Sequence, residues 1–330
     1  MCDWNMIENC YLINNYCPID NDTLNQIIKY KYLQNLKSFL QTTQHNFYIN
    51  IDICNNDYYN EIINIVNNNE KIKCIIIMTD DFNEELFKIN KNKIIIFSIK
   101  KESIFANKSF IKFLNDYNIY EIFVNNCLSN KDNYKTIINN VNRYSISNHF
   151  FKEEFEQLKV SKVERLSISG YNECVKIHID SKRICEIIEN NTNLTYLSIG
   201  SIFIEDIDNL INCLIKNKNI KHLSLISIEN GYDLIPKLIL NNNTIETLTL
   251  DDKKIENLDF IKDALINNTS IKKLNIISKN INNIDSLIEI IEKNHSLEEI
   301  YMIDTFKQQL ENIKSNCKFK FYVDKCYDLK

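Results

Sequence analysis

The sequence predicts an α/β solenoid, and three observations lead there. A short strand signature, apolar-x-x-apolar-x-apolar, begins at Leu194, Ile220, Ile245, Ile271 and Leu297, in steps of 25 or 26 residues. Between successive signatures lies an apolar stripe at helical spacing, such as Ile207, Leu210, Ile211, Leu214 and Ile215. Near each helix end an asparagine recurs at one phase: Asn191, Asn217, Asn242, Asn268 and Asn294. A fixed period of this length means units that bury their cores against their neighbours.

Residues 1–45 stand outside the repeat. Thr23 to Gln41 reads as helical on Leu24, Ile27, Ile28, Tyr32, Leu33, Leu36 and Leu40. An open solenoid end must be covered, so this segment is expected to be a helical N-terminal cap, with a small adaptor-binding module as the other reading. Residues 46–162 carry a fainter repeat. Its strand anchors are Tyr48/Ile51/Ile53, Ile72/Ile75/Ile77, Ile94/Phe97/Ile99, Ile119/Ile122/Val124 and Val141/Tyr144/Ile146. Helical stripes lie between them, at Tyr59, Ile62, Ile63 and Val66 and at Phe110, Ile111 and Leu114. Alternating strands and helices also describe a separate βαβ domain, and both readings of this segment stay open.

Residues 163–316 hold the clear repeats. Val163, Leu166 and Ile168 open them, followed by a longer gap that holds an insertion around Glu173 to Ser181. Later helix stripes are Leu234/Ile235/Leu238/Ile239, Leu258/Ile261/Leu265/Ile266 and Ile284/Leu287/Ile288/Ile291, with a weaker one at Phe306, Leu310 and Ile313. The recurring asparagines read as residues in the left-handed conformation that ends a helix, where glycine is scarce. Residues 317–330 form a C-terminal cap and tail. Lys318 to Val323 alternates as a strand whose lysines discourage further pairing.

Composition narrows the function classes. The net charge of −5 is mild, and Lys and Arg are spread along the chain, so no footprint for nucleic acid is expected. The first residues lack a basic start and an apolar core, and no apolar run reaches the ~18 residues of a membrane span. Eleven cysteines are scattered without a Cys-x-x-Cys pair, which reads as buried, reduced thiols in a cytoplasmic protein. Asn-x-Ser/Thr sequons are expected by chance in so asparagine-rich a chain.

No catalytic motif is found. With glycine only at 170, 200 and 231 there is no Walker loop and no dinucleotide fingerprint. No two of the five histidines are three or four apart, so no metal site and no cofactor are expected. Cys174 and His178 are four apart, but Val175, Ile177 and Ile179 alternate around them as a strand does. Acid pairs such as Asp251-Asp252 would matter only in a pocket that shifts their pKa.

The residues between the strand anchors point out of the core. They include Tyr196, Ser198, His222, Ser224, Thr247, Thr249, Lys273, Asn275, Glu299 and Tyr301, the candidate binding residues, with Tyr196 and Tyr301 as anchors. Ile226, Ile277 and Ile303 are expected to form an apolar ridge along one edge.

Ile245-Glu246-Thr247-Leu248-Thr249-Leu250 and Ile271-Lys272-Lys273-Leu274-Asn275-Ile276, each after an Asn-containing turn, resemble leucine-rich repeats of the ribonuclease-inhibitor-like class. The composition is similar to that of repeat proteins from slime moulds and from giant DNA viruses of amoebae. The resemblance implies a concave parallel sheet, convex helices and a non-enzymatic protein–protein interaction role on the concave face. The family's usual Asn or Cys after each strand is replaced here by Ile202, Ile228, Lys253 and Lys279, so the turns are expected to be irregular. F-box proteins place a helical module before such repeats. Residues 1–45 are similar to it in position and length, but Cys17-Pro18-Ile19-Asp20 stands where Leu-Pro-x-Glu is usual. That likeness implies an alternative role, a substrate-recognition adaptor docking a ubiquitin-ligase core subunit.

Overall fold

The computed structural model describes residues 27–29, 47–52, 59–70, 72–79, 82, 84–92, 94–99, 104, 107–117, 119–124, 135, 138–139, 141–147, 152–170, 178–228, 231–278, 280–303, 306–311, 313 and 317–322. It is mixed α/β with parallel strand pairing throughout, and it divides into two units, Thr23–Leu166 and a second unit that includes Ser167–Lys330.

In the first unit, strands β1 (Ile27–Lys29), β2 (Phe47–Asp52), β3 (Ile72–Thr79), β4 (Ile94–Ile99), β5 (Ile119–Val124) and β6 (Arg143–Ser147) pair in sequence order. Helices α1 (Tyr59–Asn68), α2 (Lys108–Asp116) and α3 (Lys152–Lys159) alternate with them, as does a 3-10 turn at Glu84–Lys88. Every strand expected within residues 46–162 forms. The register aligns Ile51, Ile77, Phe97, Ile122 and Tyr144. The third strand therefore aligns through Ile77, two residues after the expected anchor Ile75. A two-residue slip leaves every side chain on the same face, so alternation alone could not choose between these isoleucines.

Phe97 meets Phe110 and Phe113 edge-on at 5.4 and 5.8 Å between ring centroids, and Phe82 leans on the same pair. These aromatics anchor α2, whose first turn is capped by Asn107 Oδ1 accepting from Ser109 and Phe110 N–H. Tyr144 donates to buried Glu154 Oε1 at 2.6 Å. The helix expected over 23–41 is corrected at its described part. Ile27–Lys29 is a strand paired with Tyr48, Ile49 and Asn50. Two adjacent β-branched residues lie beside an available strand edge, and pairing there outweighs the helical spacing. The remainder of that helix lies outside the described residues.

The boundary between the units falls within β7 (Arg165–Ser169), and in the second unit strands β9 (Tyr196–Gly200), β11 (His222–Ile226), β12 (Thr247–Asp251), β13 (Lys273–Ile277), β14 (Glu299–Ile303) and β15 (Lys318–Tyr322) follow one another in the sheet. β8 (His178–Asp180) and β10 (Phe203–Glu205) form a separate two-stranded sheet. The helices are α4 (Ser181–Asn190), α5 (Ile207–Lys216), α6 (Ile235–Asn241), α7 (Lys262–Asn267), α8 (Asp285–Lys293) and α9 (Lys307–Glu311). Leu197, Leu223, Leu248, Leu274 and Ile300 are direct partners across the sheet and are all buried. The helix stripes cover this side. Leu225 and the α5 residues Ile207, Leu210, Ile211 and Leu214 surround a small apolar cavity of about 10 Å³.

The recurring asparagines are not left-handed. Asn191, Asn217, Asn242, Asn268 and Asn294 have φ between −68° and −99° with extended ψ, so that expectation is corrected. Their side chains do the work instead. Asn268 Oδ1 accepts from Ser270 N–H at 2.9 Å and Ile271 N–H at 2.7 Å, while its Nδ2 donates to the Ile239 carbonyl of the preceding unit at 2.7 Å. Asn242 and Asn294 repeat the pattern, donating to Leu214 and Leu265 at 2.8 and 2.5 Å. Asn217 does so toward Ile188 at 3.2 Å. Each amide thus satisfies a last-turn carbonyl of one helix and the N–H groups entering the next strand.

The turns after the strands differ from one unit to the next. After β9 and β11 the chain turns through Ser201 (φ 52°) and Ser227 (φ 45°), burying Ile202 and Ile228. After β12 and β13 side chains take over. Asp252 Oδ1 accepts from Lys254 N–H at 2.7 Å, and Ser278 Oγ donates to the Ile255 carbonyl at 2.8 Å.

Candidate functional site

Alternation along each strand separates two faces. Leu248 and Leu250 of β12 lie in the core, and Thr247 and Thr249 lie half-buried on the other face. Register turns these outward positions into rows. The first row is Tyr196, His222, Thr247, Lys273 and Glu299, joined by Lys318; the second is Ser198, Ser224, Thr249, Asn275 and Tyr301, joined by Lys320. All ten sequence-predicted residues therefore come together on one face.

They are not equally accessible. Ser198 and Ser224 are buried; the other eight are partly exposed. Neighbours within the rows also engage each other. Tyr196 and His222 rings lie 6.3 Å apart, Asn275 Nδ2 donates to Thr249 Oγ1 at 2.9 Å, and Glu299 takes Lys320 at 3.0 Å and Lys273 at 4.0 Å. Just before the strands, Lys221 pairs with Glu246 at 3.2 Å. At the charged end of the face one carboxylate, Glu299, is thus shared by Lys273 and Lys320, with Lys318 beside it in the row, and such exposed pairs add little stability. The aromatic and hydroxyl end, at Tyr196 and His222, offers apolar area together with hydrogen-bonding tips.

The third row is Gly200, Ile226, Asp251 and Ile277. It corrects the expected apolar ridge. Ile277 and Ile303 are buried, and Asp251 interrupts the line between Ile226 and Ile277. Gly200 sits where a Cβ would come within 2.8 Å of Ile226 Cβ, so the row closes tightly at this point.

Asp251 is what sequence reasoning undervalued. Only 6 % of it is exposed, and its Oδ2 has no hydrogen-bond partner. Burial, reinforced by the adjacent Asp252 charge and opposed by Lys253, pushes its pKa up to about 7. Its neighbour Asp252 is satisfied, accepting from Tyr232 Oη at 2.7 Å and from the Lys254 backbone. That phenol is held above its usual range by burial first and by the Asp252 contact second. The signal that could have found Asp251 is its phase, which places a carboxylate in line with two isoleucines.

Among the described residues, no group of three or more His, Cys, Asp and Glu side chains is placed to hold a metal, and no helix is long and apolar enough to cross a membrane. No protein-family model matches the chain, and no curated protein shows significant similarity to it.

Proposed function

We propose that the chain is a leucine-rich-repeat solenoid of the ribonuclease-inhibitor-like class, acting in the cytoplasm as a non-enzymatic module that binds another protein. The observation that carries this reading is the residue-by-residue register of β9, β11, β12, β13 and β14. It supports treating Tyr196, His222, Thr247, Thr249, Asn275 and Tyr301 as one continuous docking face rather than as separate surface residues. Side chains held in place by a hydrogen-bonded sheet lose little freedom on binding, so affinity would come from preorganisation.

The test is affinity purification of the tagged chain from its native cells, with mass spectrometry of what co-purifies. Tyr196→Ala/Tyr301→Ala is expected to reduce recovery of the specific partner at least tenfold with an unchanged circular dichroism spectrum. Equal recovery from the folded double variant overturns the assignment of this face. Recovery of a ubiquitin-ligase core subunit, lost on deleting residues 1–45, is the outcome that favours the adaptor role.

A further inference from the structure

Helices α4 and α5 are tied together more closely than their neighbours. Each is preceded by a strand of the small sheet, in which Phe203, Ile204 and Glu205 pair with His178, Ile179 and Asp180. The His178 and Phe203 rings lie 4.8 Å apart, and His178 Nδ1 is 3.9 Å from Glu205 Oε1. Asp180 and Asp206 then cap the two helices. One turn further in, Asn209 Nδ2 bridges the pair, donating to Ser181 Oγ at 3.1 Å and to Cys185 Sγ at 3.7 Å.

This clamp sets two cysteines against each other. Cys185 Sγ lies 3.8 Å from the Asn209 carbonyl, one turn before Cys213. Cys213 Sγ lies 3.9 Å from the carbonyl of Cys185 itself. Both thiols are free and buried, with 6 % and 7 % exposure. Each thiol thus leans on the backbone of the other's helix. The two perturb one another, Cys185 pushed up and Cys213 pulled down, each first by the other. Cys213, with Lys216 one turn on in α5, is assigned as the attacking sulfur and Cys185 as the resolving one.

We propose that Cys185 and Cys213 form a peroxide-responsive dithiol that closes into a disulfide between α4 and α5. Cys213 sulfur attacks one oxygen of hydrogen peroxide, the O–O bond breaks, and water leaves, giving the sulfenic acid. Cys185 sulfur then attacks that sulfur, the S–O bond breaks, and a second water departs with the Cys185 proton. Two thiols are oxidised by one electron each, and one peroxide is reduced to two waters. Hydrogen peroxide is small enough to reach a buried pair through local opening of the helices. The bond would staple adjacent units behind Tyr196 and His222 without touching that face.

The sequence supplies a clean readout. No Lys or Arg lies between Ile184 and Lys216, so both cysteines fall in one tryptic peptide, Ile184–Lys216, which contains no other cysteine. The reduced full-length protein is treated with hydrogen peroxide, alkylated, digested and weighed. The expected peptide is lighter than its reduced form by two hydrogens and carries no alkyl group; after cleavage at its glutamates (186, 189 and 205) the fragments that hold Cys185 and Cys213 stay joined until dithiothreitol separates them. The oxidised protein should also melt higher than the reduced one. In Cys185→Ala, Cys213 should stop at a sulfenic acid that dimedone traps. A wild-type peptide bearing two alkyl groups, at peroxide levels that fully oxidise glutathione alongside, overturns the proposal. So does a peptide further oxidised at Cys213 with Cys185 still alkylated; both outcomes are read on wild-type protein, whether or not the variant folds.

Discussion

Asn268 and Asp251 are two buried polar residues with opposite accounts. The amide of Asn268 is fully used, and its partners are backbone groups, buried at Ile239 and Ile271 and part-buried at Ser270. Asn268→Ala leaves the Ser270 and Ile271 N–H groups and the Ile239 carbonyl short of a partner, and should cost about 2–4 kcal/mol by chemical denaturation. Asn268→Gly should cost as much. Were the residue needed for a left-handed backbone, glycine would be harmless, so the pair of variants discriminates the two roles. Asn267, an exposed helix residue that donates to the Asp263 carbonyl, is the control, with an effect within about 0.5 kcal/mol. Asp251 is the converse, a carboxyl with an unpartnered buried oxygen. Its folded pKa of about 7 lies above the unfolded value of 3.8. Between these values the folded state holds a proton that the unfolded state has released. Stability therefore falls as pH rises through this window and levels off above it. The predicted loss is on the order of a few kcal/mol. Asp251→Asn should remove most of it, so the difference in melting temperature between pH 5 and pH 8 should be smaller for the variant than for wild type. Equal pH dependence in both would show that Asp251 is solvated and ordinary.

At the scale of the element, the turns show where local preference was overridden. Ser201 and Ser227 hold positive φ, a conformation that costs an L-residue roughly 1 kcal/mol. They do so because the next residue, Ile202 or Ile228, must enter the core, and because Ser201 N–H and Ser227 N–H reach the Ile226 and Asp251 carbonyls of the next strand at 2.8 and 2.6 Å. Ser227→Gly keeps both requirements and relieves the strain. It should raise stability by about 0.5–1 kcal/mol, measured as a higher denaturation midpoint at unchanged slope. The mirror case is Gly170, where a Cβ would lie 2.3 Å from the Ser201 carbonyl oxygen, so Gly170→Ala should destabilise. The helix ends make the same point. Asp180 and Asp206 cap α4 and α5 with their side chains, but α6, α7 and α8 begin without a side-chain cap, the first two out of 3-10 turns. The first turn of these helices is fixed by the stripe that must face the sheet rather than by a capping residue.

At the scale of the whole molecule, the 25–26 residue period between Leu194 and Leu297 makes a prediction of its own. Excising residues 246–271 removes one period of 26 residues and joins Ile245 to Lys272, which restores the strand signature and the asparagine phase. If neighbouring units supply each other's core, this shortened chain should still unfold in one cooperative transition, whereas excising residues 246–258 should abolish it. A chain that tolerates neither deletion would sink the repeat reading. Much of this was legible beforehand. Strand positions, helix stripes and the outward residues follow from apolar periods of two and 3.6, because these periods are set by backbone geometry and each unit carries its own copy. Register was legible only where a single apolar residue marked it; Ile75 and Ile77 were equivalent by alternation, and the paired strands chose Ile77. The sequence by itself thus determined the order of the main-sheet strands from β2 onward and the two outward rows from Tyr196 to Glu299 and from Ser198 to Tyr301, but not β1, the small sheet of β8 and β10, or the burial of Ile277 and Ile303. Only the tertiary structure decided that the asparagines bond between units, that Asp251 is buried between two isoleucines, and that Cys185 meets Cys213. Each of those depends on distances between chain segments some 25 residues apart, and no local preference encodes such a distance.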